Sequence, residues 1–182
     1  TQPAAEVPPA APAAEPAPQA VVGDAAEREI VVETATVRAV LSNRGARLVH
    51  WHLKDYRDAS GEPVDLIPSG LPADQPTPFS LRVDDEALTR RLNSALYRVT
   101  GDTAGRVDGT TTESQVVFEF EDVSGVMVRK EFRFDPRTYM VTFTASVTRN
   151  GEALNPSVVW GPGLGDIGAI SGGGSFFTGN YI

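Results

Sequence analysis

Residues 116–148 decide the fold of this 182-residue chain and read VVFEFEDVSGVMVRKEFRFDPRTYMVTFTASVT. Apolar and polar side chains alternate along this stretch with the period of two that is typical of β-strands. Two short turns interrupt the alternation, residues 122–124 before Gly125 and residues 135–137. Turns of this length place consecutive strands antiparallel. The stretch therefore predicts a three-stranded antiparallel meander.

The predicted meander has one apolar, aromatic face and one face of threonine and charged side chains. An apolar sheet face has to be covered by a second layer, so we predict an antiparallel β-sandwich. Aromatic residues at strict period two are expected in its core rather than in a sugar-stacking platform. These residues are Phe118, Phe120, Phe132, Phe134, Tyr139 and Phe143. Glu131 and Arg133, on the polar face, are expected to be cross-strand charge partners.

The N-terminal half supplies strands for the second layer. Alternation predicts strands over residues 30–32 and 37–41, a turn at Asn43-Arg44-Gly45 and a strand over residues 46–54. On that last strand, period two predicts two faces. Val49, Trp51 and Leu53 lie on one, and Leu48, His50 and His52 lie on the other.

The middle of the chain is more broken. A short strand is predicted over residues 64–67, and Phe79, Leu81 and Val83 alternate after a proline-rich loop. Three acidic residues, 84–86, are expected to cap a single helical turn over residues 87–93. A strand over residues 96–100 and a long polar loop over residues 101–112 complete this region.

Composition excludes several classes of function. The net charge of −8 argues against a nucleic-acid partner, because such binding depends on clustered Lys and Arg. With no cysteine there is no disulfide, zinc–thiolate or iron–sulfur site. No apolar run is long enough for a membrane-spanning helix, and we expect no signal peptide at the N-terminus.

The two ends differ from the middle. Residues 1–27 are rich in Ala and Pro, and we expect a disordered linker there, with a β-sandwich domain over residues 28–182. The glycine-rich segment after Trp160 ends on Ser175-Phe176-Phe177 and a few more residues. We therefore expect the sandwich to be truncated at its C-terminus.

Two patterns suggest chemistry. Gly163-Leu164-Gly165-Asp166-Ile167-Gly168 spells the dinucleotide fingerprint G-x-G-x-x-G, but neither a following helix nor an acid about 20 positions on is present. The histidines, His50 and His52, share a predicted strand face, with Asp55 as the only acid nearby in sequence. Because a metal site needs three or four ligands, we interpret them as imidazoles on a partly solvated face. We predict no catalytic, cofactor-binding or metal-ligating residue, no cofactor and no enzymatic activity.

Several stretches together resemble the periplasmic domain of the YidC membrane protein insertases. They are NRGARL (43–48), WHLKDY (51–56), GEPVDL (61–66), KEFRF (130–134), YMVTF (139–143) and WGPGLG (160–165). The resemblance runs from about residue 30 to residue 165 in matching order. The Ala/Pro tract is also similar to the linker that follows the first membrane helix in that family.

The resemblance implies a galactose-mutarotase-like β-supersandwich at the periplasmic face of a Gram-negative inner membrane. In the family, a bundle of membrane helices after this domain carries out insertion, so the resemblance implies an accessory interaction module. Its implied partners are Sec translocon components and inserting membrane proteins. The catalytic histidine and glutamate of mutarotases match no position here. The alternatives are a carbohydrate-binding or carbohydrate-active β-sandwich, and an envelope structural domain of another family.

Overall fold

A computed structural model describes residues 19–67 and 75–161 of the chain. The described residues form thirteen β-strands and one α-helix. In chain order they are β1 (Ala20–Val22), β2 (Glu29–Glu33), β3 (Val37–Ser42), β4 (Arg47–Arg57), β5 (Pro63–Asp65), β6 (Ser80–Arg82), α1 (Glu86–Ser94), β7 (Arg98–Thr100), β8 (Arg106–Asp108), β9 (Ser114–Asp122), β10 (Val126–Phe134), β11 (Val141–Arg149), β12 (Glu152–Leu154) and β13 (Ser157–Val159).

The predicted meander forms the centre of the first sheet. Its strand order is β1-β9-β10-β11-β12, and β7 pairs with β9 beside β1. Strands β9, β10 and β11 pair antiparallel along their lengths, with Phe132 opposite Val116 on one side and Phe143 on the other. The meander prediction is confirmed. Strand β11 starts at Val141, however, so the predicted strand residue Tyr139 precedes it.

The second sheet has the order β5-β4-β3-β2-β8. Four of its strands are antiparallel neighbours, whereas β8 runs parallel to β2 with Val107 opposite Val32. The prediction of an unbroken polar loop over residues 101–112 is therefore wrong. Arg106-Val107-Asp108 is too short to show alternation, and its partner strand lies far away in sequence.

The two sheets bury one shared hydrophobic core. Ile30, Val32 and Leu41 of the second sheet and Phe118 and Phe132 of the first are fully buried within it. Full burial of such a side chain contributes about 1.5–3 kcal/mol. The β-sandwich prediction is confirmed, and the mutarotase-like form of the sandwich remains a prediction.

A β-bulge changes which side chains of β4 face the core. Val40 pairs with His50, but the next residue, Leu41, pairs with Leu48, so Val49 is an extra residue on β4. Leu48 and Trp51 are consequently both buried. The prediction that they lie on opposite faces is wrong, because a bulge breaks the period of two.

Helix α1 is nine residues long, which exceeds the predicted single turn. Asp85 is its N-cap and accepts a hydrogen bond from the Leu88 amide at 2.9 Å. The helix buries Leu88 and Leu92. Near its end, the Asn93 side chain bonds both the amide and the carbonyl of Leu81, which fixes α1 against β6.

The predicted linker and the sheet overlap. Strand β1 lies within residues 1–27 and pairs with the end of β9, with Ala20 opposite Asp122. Residues 1–18 and 162–182 lie outside the described residues, and with them most of the predicted linker, the glycine-rich segment and the predicted truncation. No helix in the described part of the chain is long and apolar enough to cross a membrane.

Candidate interaction site

An apolar cleft of about 150 Å³ lies between the two layers of the sandwich. It is lined by residues of β4, of the segment after β5, of the positions just before β6, of the start of β11 and the segment before it, and of the position after β13. We call it the aromatic cleft, and its lining residues are Leu48, Trp51, Leu66, Ile67, Phe79, Tyr139, Val141 and Trp160. The only side-chain polar atoms in this set are the Tyr139 hydroxyl and the two indole nitrogens.

Phe79 connects the aromatic cleft to the core. Its ring lies 5.1 Å from Phe132, 4.8 Å from Phe143 and 4.9 Å from Trp160, measured between centroids. Its backbone φ of 68° is in the left-handed region, which is rare for a bulky residue. The Lys130 ammonium donates to the Phe79 carbonyl at 2.8 Å and so helps to hold this conformation.

Lys130 is fully buried behind Phe79. Besides the Phe79 carbonyl, its Nζ reaches the carbonyls of Gly45 at 2.6 Å and Ala46 at 3.2 Å. These three acceptors match the three N–H donors of an ammonium group. Burial, with a smaller contribution from the charge of Arg47, lowers the pKa of Lys130 to about 7. The signal for this site in the sequence is a lysine at an inward position of the alternation.

The rim of the aromatic cleft is exposed and apolar. We define the rim as four exposed residues, of which Tyr139 and Trp160 line the cleft, Tyr56 contacts the ring of Tyr139 and Met140 follows Tyr139 in the chain. Met140 is 71% and Trp160 42% exposed. The Tyr139 hydroxyl donates to the Asp55 carboxylate at 2.8 Å, and this bond is the main reason that the pKa of Tyr139 is raised to about 12. The ring of Tyr139 contacts that of Tyr56 edge-on at 5.9 Å.

The prediction that Tyr139 is a core residue is therefore wrong, because it lies before β11 begins. The predictions for Phe118, Phe120, Phe132 and Phe134 are confirmed, since all four are buried. Phe143 is partly buried and packs against the core.

The two histidines share the solvent-facing side of β4, as predicted. Asp65 of β5 lies directly opposite His52. His50 Nδ1 lies 2.6 Å and His52 Nε2 lies 3.8 Å from Asp65 Oδ2. Asp55, the nearest acid in sequence, bonds Tyr139 instead. The pairing of β4 with β5 thus brings in an acid that sequence proximity did not indicate.

The charged face of the meander forms an ion-pair network. Arg133 Nε contacts Glu131 at 2.6 Å along their own strand, which corrects the expected cross-strand pairing of these two residues. The cross-strand partner of Arg129 is Glu119, at 2.8 Å. The arginines are exposed and the glutamates partly buried, and each such pair at the surface contributes about 0.2–1 kcal/mol. The dinucleotide-like glycines, residues 163–168, lie outside the described residues.

The family model of the YidC periplasmic domain matches residues 29–160. This chain belongs to the YidC periplasmic domain family. The match begins with the first residue of β2 and ends at Trp160, so it includes all residues that line the aromatic cleft. The family prediction made from the sequence is confirmed.

A relative supports the same family. The membrane protein insertase YidC of Endomicrobium trichonymphae is 27% identical over 136 residues, which is 74% of this chain. The chain spans about a fifth, 21%, of the length of that curated relative. The YidC periplasmic domain is therefore an insertase-related domain of the periplasmic face of the inner membrane.

Proposed function

We propose that this YidC periplasmic domain is a non-enzymatic accessory module that assists the insertion and folding of inner-membrane proteins. It does so by presenting the aromatic cleft to a protein partner. The partners we propose are Sec translocon components and inserting membrane proteins. The observation that carries the proposal is the exposed apolar rim beside the cleft, within the segment that matches the family.

The composition of the rim supports a protein partner. Aromatic residues and methionine are enriched in protein interfaces, and apolar side chains grouped at the surface mark interaction sites. Tyr56, Tyr139, Met140 and Trp160 provide such a group. Tyr and Trp also contribute large contact areas with little loss of side-chain entropy.

The two side chains whose pKa values are shifted most support a role without catalysis. Lys130 and Tyr97 are fully buried, and their polar atoms bond backbone carbonyls. Burial raises the pKa of Tyr97 far above its ordinary value. A shifted group in a catalytic site would instead face a substrate pocket. Lys130 and Tyr97 are therefore best explained by packing.

Site-specific photo-crosslinking tests the proposal. A photoreactive amino acid replaces Met140, and the chain is irradiated with inner membranes that contain the Sec translocon. We expect adducts with Sec subunits or with inserting membrane proteins. Thr144, exposed on the opposite face of the first sheet, is the matched control position and should give few adducts. Equal adduct yields at the two positions would contradict the proposal.

A carbohydrate ligand is the second candidate. The bond between Tyr139 and Asp55 places a carboxylate beside an exposed aromatic ring at the rim. That pair could recognise sugar hydroxyls, although most of the lining is apolar. Saccharide binding that is lost on Trp160→Ala substitution, together with no protein adducts at Met140, would favour this function over the first.

A further inference from the structure

We propose that His50, His52 and Asp65 form a zinc-binding site on the outer side of the β4–β5 edge. The atoms that these side chains offer as ligands lie within 4.8 Å of one another. The sequence prediction of no metal ligand rested on the lack of a third ligand close to the two histidines. Strand pairing supplies that ligand, because Asp65 lies opposite His52.

The Asp65 carboxylate is held in a fixed position by the backbone. Its Oδ1 accepts hydrogen bonds from the amides of Trp51 at 2.9 Å and Ile67 at 3.0 Å. Its Oδ2 faces the two imidazoles and is hydrogen-bonded to His50 Nδ1 at 2.6 Å, a bond that zinc would replace. A carboxylate whose second oxygen is already bonded loses little conformational freedom when it binds a metal, and such supporting bonds are typical of metal sites.

His52 lacks a partner in the described part of the structure. Its Nε2 is 3.8 Å from Asp65 Oδ2, which is too long for a hydrogen bond. Its Nδ1 is buried and has no hydrogen-bond partner among the described residues. An imidazole usually satisfies at least one of its ring nitrogens. A metal between His52 Nε2 and Asp65 Oδ2 would give the imidazole a partner through Nε2.

The neighbouring charges do not block a cation. Arg38 lies opposite His52 on β3, but its guanidinium is paired with Glu33 at 3.2 Å. Lys54, on the same face of β4, is also paired with Glu33, at 2.7 Å. Both cations are therefore partly neutralised by a carboxylate that takes no part in the proposed site.

The chemistry of the donor set favours zinc. Two imidazole nitrogens and one carboxylate oxygen are the ligand types that Zn²⁺ accepts, and hard ions such as Mg²⁺ prefer oxygen ligands alone. Zinc–ligand distances are about 2.0–2.2 Å, so the ligand atoms of a tetrahedral site lie about 3.4 Å apart. His50 Nδ1 and Asp65 Oδ2 are 2.6 Å apart and have to separate, whereas His52 Nε2, at 3.8 Å, has to approach Asp65 Oδ2. The fourth position is left to water.

Zinc at this position would link an edge strand to its neighbour. Strand β5 is three residues long and lies at the end of the second sheet. Asp65 is joined through its other oxygen to Trp51 and Ile67, which both line the aromatic cleft. Metal binding would therefore stabilise the positions of Trp51 and Ile67, two of the residues that line the cleft. This inference does not depend on the identity of the partner that the cleft binds.

Zinc titration of the metal-free chain tests the site. We expect saturable binding of one ion per chain, measured by calorimetry, and a higher unfolding temperature with zinc. Cobalt should give the intense visible absorption of a tetrahedral site. The chain has two histidines, so ¹⁵N spectra of their rings should show both sets of signals moving.

Substitutions identify the ligands. His52→Gln and Asp65→Asn should each weaken zinc binding by at least about tenfold, since even indirect contacts to a metal contribute this much. Asn keeps the Oδ1 acceptor for the two amides, so β5 should remain folded, which circular dichroism and the unfolding temperature check. Asp55→Asn is the matched control and should bind like the unsubstituted chain. No saturable binding, or equal loss in all three variants, would overturn the proposal.

Discussion

The Lys130 ammonium lies 2.6 Å from the carbonyl oxygen of Gly45, a residue 85 positions away in the sequence. This contact joins β10 of the first sheet to the turn between β3 and β4 of the second. The same ammonium bonds the Phe79 carbonyl beside β6. One buried cation therefore connects the two layers of the sandwich with each other and with Phe79, which lines the aromatic cleft.

Replacing Lys130 should destabilise the domain strongly. Lys130→Met keeps most of the side-chain volume but leaves three buried carbonyls without their donor, and each buried unsatisfied group costs about 1–3 kcal/mol. We expect a loss of at least about 2 kcal/mol in the free energy of unfolding, measured with urea. Lys54→Met is the matched control, because Lys54 is a partly exposed lysine and should cost about 1 kcal/mol or less.

The contribution of Lys130 should also depend on pH. Its folded-state pKa is about 7, below the ordinary value of 10.5, so the unfolded chain binds more protons at this position between the two values. The contribution of Lys130 to the free energy of unfolding should therefore rise with pH across that interval and stay level, at its lowest, below it. Urea curves at a series of pH values should show the difference between the native chain and Lys130→Met growing with pH. A difference that is constant with pH would contradict this.

Gly45 is expected to tolerate no side chain. Its φ is +70°, and a Cβ atom there would lie 2.5 Å from the Asn93 carbonyl oxygen. Gly61 has a φ of +87°, but a Cβ atom there would meet no atom of the described residues within 4 Å. Gly61→Ala should thus cost only the backbone strain of about 1–2 kcal/mol, whereas Gly45→Ala should cost clearly more. Equal unfolding temperatures for the two variants would show that the close approach has no effect.

The ion pair between Arg91 and Asp122 should matter more than exposed pairs. Arg91 Nη1 lies 3.1 Å from Asp122 Oδ2, and the Asp122 side chain is fully buried. Arg91→Met would leave this carboxylate uncompensated, which costs about 3–5 kcal/mol for a buried pair. Arg133→Met, at an exposed pair, should cost about 1 kcal/mol or less. The measurement is again the free energy of unfolding, and similar losses would argue against a special role for Asp122.

The alternation of apolar and polar residues was sufficient to predict the meander, because its strands are joined by short turns and pair with their chain neighbours. The same alternation predicted the structure wrongly where one extra residue or one contact distant in sequence decides it. The extra Val49 moved Leu48 onto the core face of β4. The pairing of Val107 with Val32 made a strand of a segment too short for alternation to be recognised.

The candidate sites were harder to predict than the fold. Asp65 reaches His50 and His52 only through the register of β4 and β5, which the sequence does not display. Tyr139 belongs to the alternating pattern of the third meander strand, yet it is exposed because pairing begins two residues later. Two signals were visible in the sequence, the shared face of the two histidines and a charged residue, Lys130, at an inward position of the alternation.

Direct binding to the Sec translocon is the measurement that tests the central claim. The chain and a Tyr139→Ser, Met140→Ser double variant are titrated against translocon in lipid nanodiscs. Thr142→Ala, at an exposed position on the other face of β11, serves as the control. The account predicts that the double variant binds at least about tenfold more weakly, since central interface residues often contribute more than 1 kcal/mol each, and that the control binds like the native chain. Equal affinities for all three proteins would contradict it.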